Sequence, residues 1–149
     1  MLSASFALYI FSYVFKIGRW VSVNEVPVPV DLLELKEQLP TFFLASRAEN
    51  TQWQYKTVFN SFCKWCSLHN IIKTLPASDI HFSMYLIYLT NLGKSASTIN
   101  EAYYGISWTH KFAWVLDPCR SDLVISVKGC AKRSVGRLTV KKNLLHLKF

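Results

Sequence analysis

Apolar residues recur at helical spacing through the stretch from Thr51 to Val115, and the polar breaks divide it into three helices. They read TQWQYKTVFNSFCKWCSLHN, SDIHFSMYLIYLTNL and STINEAYYGISWTHKFAWV. In the first, Tyr55, Phe59, Phe62 and Cys66 form a stripe that Val58 and Trp65 widen, with Gln52, Gln54, Lys56, Asn60 and Lys64 largely outside it. Thr51 is placed to cap this helix, which ends near Asn70. In the second, Ser78 is the cap and Asp79 suits the helix dipole. Ile80 to Leu92 is apolar on nearly every side, the pattern of a helix at the centre of a bundle, and Gly93 stops it. In the third, Thr98 with Glu101 matches a capping box, and Ser95 or Ser97 are alternative caps. Ile99, Tyr103, Ile106, His110 and Trp114 mark its inner face; Asn100, Tyr104, Ser107 and Lys111 mark the outer one.

On either side the pattern is less regular. MLSASFALYIFSYVF at the start is mostly apolar, yet short for a membrane span, which needs about 20 residues. It reads as a membrane-anchoring or signal-like segment, as an extra helix or strand packed on the module, or as a piece of different origin; the last two are favoured. Val26-Pro27-Val28-Pro29 predicts an extended linker, because residues before proline avoid helical angles. Asp31 is placed to cap a helix LLELKEQL, which Pro40 interrupts or restarts. After Asp117-Pro118 a further helix, RSDLVISVKGCAKRSV, turns Leu123, Val124, Val127 and Ala131 inward, and the tail GRLTVKKNLLHLKF has no clear period. The expected division is residues 1–30 as apolar segment and linker, 31–135 as a helical domain, and 136–149 as a basic tail.

Charge changes this picture most. The chain has 149 residues and a net charge of +8, with 51% hydrophobic residues, ample for a core. Residues 1–50 carry four basic and five acidic side chains, residues 51–149 thirteen basic and four acidic. The positive field therefore belongs to the helical module and its tail, which favours a polyanion as partner. Lys128, Lys132, Arg133, Arg137, Lys141 and Lys142 follow one another with no acid between them, as phosphate contacts require. The starts of the helices at Thr51 and at Ser95–Thr98 combine hydroxyls, free amides and a nearby lysine, Lys56 or Lys94, and helix N-termini accept phosphate. Gln52, Gln54 and Asn100 have the side chains that read base edges. Each of these features has an ordinary reading as a solvated face or a helix cap.

Other chemistry is sparse. Cys63, Cys66, Cys119 and Cys130 form no dense framework and suit a reducing compartment with buried thiols. Cys63-x-x-Cys66-x-x-His69 lies on one helix among Phe62 and Trp65 and lacks a fourth ligand, so buried thiols are preferred to a metal. His81, His110 and His146 have no spacing for ligation or catalysis. Trp53, Trp65, Trp108 and Trp114 read most simply as core. No cofactor is expected.

The order of these pieces resembles the core-binding domain of tyrosine recombinases (phage-integrase-like). The residues that carry it are Thr51-x-x-x-Tyr55, Phe59-x-x-Phe62-x-x-Trp65-Cys66, Pro76-Ala77-Ser78, Tyr85-Leu86-x-x-Leu89, Ser95-Ala96-Ser97-Thr98-Ile99, Ile106-Ser107-Trp108-x-His110, Asp117-Pro118 and Ala131-Lys132-Arg133. They cover about residues 37–142. The resemblance implies an all-α, SAM-like orthogonal bundle of four to five helices that forms half of a clamp around duplex DNA. Carried over by position, it points to Gln52, Lys56, Lys94, Ser97, Thr98, Asn100 and Lys111 at the DNA. Lys132, Arg133, Lys141 and Lys142 would lead towards the family's catalytic domain. No His-x-x-Arg occurs in the chain, and no tyrosine in the matched stretch corresponds to the family's nucleophile. The expectation is thus a non-catalytic DNA-binding module, a truncated or domesticated mobile-element remnant. It would be intracellular, and nuclear in a eukaryote, with duplex DNA and self-association or a helical protein as partners, and no small-molecule substrate. The alternatives are a helical protein-interaction module and a small membrane-attached protein held by residues 2–15.

Overall fold

The structure is a computed structural model that describes the backbone of residues 19–147 and, Asn24 apart, the side chains of residues 20–135. Readings that concern residues 1–18, including the apolar start, lie outside it, as do the side chains of Lys141 and Lys142. Six helices account for most of the described chain: α1 (Arg19–Glu25), α2 (Leu33–Leu44), α3 (Glu49–Leu68), α4 (Asp79–Asn91), α5 (Ala96–Ala113) and α6 (Asp122–Leu147). Short 3-10 turns, Val30–Leu32 and Pro118–Arg120, precede α2 and α6. The described residues contain no strand, and the fold is an all-α bundle. None of the described helices is long and apolar enough to cross a membrane.

Local chemistry sets several boundaries where the residue pattern puts them. The Ser78 hydroxyl accepts from the N–H groups of Ile80 and His81 and opens α4. Ser95, rather than Ser97 or Thr98, opens α5, its hydroxyl accepting from the Thr98 N–H at 3.2 Å. Gly93 closes α4 at φ +78°, where a side chain would be strained, with the Gly93 N–H on the Thr90 carbonyl and the Lys94 N–H on that of Leu89.

Other boundaries move. Asp31 does not cap: it lies within the 3-10 turn, and Leu32 at the start of α2 makes no side-chain bond. Thr51 does not cap either, because α3 begins at Glu49 behind Ala48 and Thr51 sits in its first turn. Pro40 does not interrupt its helix, which runs through it. Pro40 offers no N–H to the Lys36 carbonyl. Leu35 and Leu39 beside it are exposed. The final helix continues to Leu147, beyond where its apolar period fades.

The centre of the bundle is α5, not α4. α3 packs mainly on α5, and α4 mainly on α6, which also meets α5. Only one side of α4 is covered: Phe82, Tyr85, Leu86 and Leu89 are buried, while Ile80, Met84 and Ile87 form an exposed apolar ridge. α5 is enclosed by neighbours on two sides and buries even residues whose type suits solvent, among them Ser107, Thr109 and His110. Ser107, read as outward, donates at 2.6 Å to the buried Asp117 carboxylate, whose other oxygen accepts from the Cys119 N–H at 2.9 Å. Gly105 permits the close approach of α3: a Cβ there would stand 2.8 Å from Val58 Cγ1.

The main core gathers Phe59, Phe62, Trp65, Phe82, Tyr85, Ile106 and Val124. A second cluster joins Trp20 of α1, Leu44 of α2 and Trp108, Phe112 and Ala113 of α5. Trp20 is 3% exposed, and its indole N–H donates to the Phe112 carbonyl at 2.6 Å. Trp53 and Trp114, both read as core, are surface residues; Trp114 ends α5 at φ +59° with its ring against those of Trp20 and Phe43.

Candidate nucleic-acid interface

The two helix starts expected to meet DNA together lie at opposite ends of one helix pair. Tyr55 packs on Trp108 at 5.5 Å between centroids, whereas Trp65 and Leu68 share a groove with Thr98 and Ala102. α3 and α5 are therefore antiparallel, and the length of α3 separates Thr51 from Ser95 by about 25 Å.

Gln52 leaves the set of base-reading candidates. It is buried, and its amide donates to the carbonyls of Leu44 at 2.9 Å and Arg47, which holds the α2–α3 corner shut. Lys56 is half-buried with its ammonium 4.8 Å above the exposed Trp53 ring. Lys94 is exposed between α4 and α5, beside exposed Ser97 and half-buried Thr98, whose hydroxyl pairs with that of Ser95 at 3.0 Å. Asn100 is half-buried, its Oδ1 shielded and without a partner. Lys111 and Arg133 are exposed and Lys132 is half-buried. The backbones of Lys141 and Lys142 belong to α6.

The structure adds a cation that the residue pattern placed only in a basic run. Lys128 on α6 holds its ammonium 3.8 Å above the Tyr103 ring and 4.8 Å from that of Tyr104, which is 52% exposed. Such a cation–π arrangement fixes the position of a charge without neutralising it. Lys111 on α5 and Lys128 on α6 both act electrostatically on the buried Cys119 thiol, opposing the rise in its pKa. Lys132 and Arg133 follow one turn further along α6.

Four acids follow residue 50. Asp117 is buried, and Asp79 is half-buried, accepting from the Ser121 hydroxyl at 2.8 Å and the Ile80 N–H at 2.9 Å; Glu101 on α5 is half-buried, and Asp122 is exposed in the first turn of α6. Carboxylates bonded in this way project less field into solvent than their number suggests.

The remaining titratable groups are structural. His110 is wholly buried; its Nε2 accepts from the Ala77 N–H and its Nδ1 donates to the Ile106 carbonyl, both at 2.8 Å. Burial lowers its pKa, against the opposing pull of the Ile106 carbonyl and Asp117. A neutral ring with the proton on Nδ1 satisfies both bonds. Burial likewise pushes Cys66 up to about 11, helped by neighbouring Cys63, and raises Cys119, with Asp117 adding to the effect. These thiols are protonated and unreactive at neutral pH. All four cysteines are free, and Cys130 is exposed. The described residues contain no cluster of side chains suited to a metal, Cys63, Cys66 and His69 included.

No protein-family model matches the chain, and no curated protein matches it significantly.

Proposed function

We propose that this is a non-catalytic helical module that grips duplex DNA through its phosphates, with the α5–α6 edge as the leading surface. The observation that carries the reading is the Lys128 ammonium held over Tyr103 and the exposed Tyr104, with Lys132 and Arg133 following on α6 and Lys111 exposed on α5, while the acid Asp117 is buried. The resemblance to the recombinase core-binding domain supports it independently, since that domain forms half of a DNA clamp. A module of this kind acts inside the cell, and in the nucleus of a eukaryote.

The test is fluorescence anisotropy with a labelled random duplex at several salt concentrations. Phosphate contacts make log K fall by about 0.9 per contact for each log unit of salt. Lys111→Ala and Lys128→Ala should each flatten the slope by about one contact and weaken all sequences alike. Absence of binding at low salt, or an unchanged slope in both variants, refutes the assignment.

A second reading, a protein-interaction module, draws on the ridge of Ile80, Met84 and Ile87 on α4, exposed apolar side chains at helical spacing. A stable oligomer that ignores DNA would favour it.

A further inference from the structure

From Ile80 to Leu92, α4 and its C-terminal cap hold no lysine, arginine, aspartate or glutamate. A helix that is apolar on every side belongs inside a protein. The bundle covers only half of this one. Phe82, Tyr85, Leu86 and Leu89 are buried, while Ile80, Met84 and Ile87 are 59%, 50% and 47% exposed. These three stand at i, i+4 and i+7 and form a single stripe. Tyr88 and Leu92, 40% and 54% exposed, widen it towards Leu68. With about 200 Å² for a large side chain, half exposure puts on the order of 500 Å² on this face. That is as much as the largest apolar patch of a typical monomer, about 300–600 Å², and such patches mark contact sites.

Charge selects the occupant. Residues 51–149 carry thirteen basic and four acidic side chains, so a second copy is repelled over most approaches to this module. A two-fold axis sets a patch against itself, and a charged patch then meets its own sign. The uncharged α4 stripe escapes that repulsion. The two ends of the helix carry opposite signs: Asp79 opens it, and exposed Lys94 follows it. In an antiparallel pair, the Asp79 end of one copy meets the Lys94 end of the other, and the helix dipoles oppose each other favourably. Nucleic acid finds no cation on the stripe. Two such faces bury about 1,000 Å², where specific interfaces begin, so the pair is a weak one of micromolar affinity.

We propose that two copies of this chain pair antiparallel through α4, with Met84 and Ile87 at the two-fold axis. The pairing does not rest on the duplex-binding reading and is measured without DNA.

The experiment is sedimentation velocity of the full chain over a concentration series. The expected result is a dimer that forms in the micromolar range. Met84→Glu and Met84→Lys each bring like charges together at the axis and should weaken the dimer about a hundredfold or more. Met84 is half exposed, so both variants should keep the helical circular dichroism of the parent. Mixed in equal amounts they should recover the dimer, because opposite charges then face each other. A dimer that survives both substitutions is built elsewhere and overturns the proposal. Variants that remain monomeric when mixed overturn it too. So does a parent that stays monomeric through the micromolar range; if that monomer pellets with phosphatidylcholine vesicles and Met84→Glu does not, the face belongs to a lipid surface instead. A dimer without duplex binding supports the pairing and refutes the DNA reading, and duplex binding by a monomer does the reverse.

Discussion

The four-helix body and the N-terminal attachment both rely on aromatic rings, but they are closed in different ways. In the body, whole helix faces meet, and Phe59, Phe62, Phe82, Leu86, Ile106 and Val124 are almost entirely enclosed. At the N-terminal side, α1 is anchored by Trp20, and α2 by Leu44 and Phe43, with Gln52 tying the corner behind it. Much of α2 remains open, with Leu35, Leu39 and Phe42 exposed. Closure by broad faces makes stability cooperative, whereas closure by a few anchors lets a segment open by itself. The two regions should therefore differ in what one substitution does.

Phe62→Ala removes a ring that meets Trp65, Phe82 and Tyr85. It should lower global stability by about 3–5 kcal/mol in urea unfolding, with every probe shifting together. A loss confined to one helix would erase the contrast between the regions. Gly105→Ala forces Val58 aside and should cost about 1–3 kcal/mol from overpacking, less about 1 kcal/mol from the better helix former. Val58→Ala in the same chain should restore most of the difference, which a double-mutant cycle would read as a favourable coupling.

Gln52→Ala leaves two carbonyls without their donor and should cost about 1–3 kcal/mol, felt locally. Hydrogen exchange in α2 and proteolysis after Arg47 should accelerate while amides in α5 keep their protection. Equal acceleration throughout would mean that the N-terminal side is as cooperative as the body. The smallest effect concerns pH. His110 is held neutral by burial, so its folded pKa lies below the ordinary value of 6.5. Its contribution is complete above about pH 6.5 and declines as pH falls, because the unfolded chain then binds the extra proton. His110→Gln should flatten the dependence of the urea midpoint between pH 7 and 5; an unchanged profile would assign that dependence to other groups.

The helix ends show why part of this structure was legible in the residue order. Ser78, Ser95 and Gly93 act within four residues of their own backbone, and that chemistry depends only on local order. Thr51 and Asp31 have equally suitable side chains, but their helices start elsewhere and leave them no role as caps. The exchange of centre and flank between α5 and α4 was not legible, because apolar content says how readily a helix can be buried, not which neighbours arrive to bury it. Ser107 became internal only because Asp117 lies across from it. Among the candidates for DNA contact, Lys94 and Thr98 share a surface, whereas Lys56 stands towards the far end of the antiparallel pair. Lys128 was visible only as one member of a basic run, and its seat above Tyr103 and Tyr104 needed the approach of α6 to α5. Gln52 carried no signal that distinguished a corner tie from a base reader.

The four thiols provide a gauge of opening without any added label. Cys130 stands in solvent and should take up a thiol reagent from the intact protein. Cys66 and Cys119 are buried with raised pKa values, in different elements of the body, and react only when the helices around them separate. A brief pulse of alkylating reagent, read by peptide mass, therefore sorts molecules by site: an adduct at Cys130 counts the protein present, half-buried Cys63 is set aside, and adducts at Cys66 or Cys119 count those that had opened.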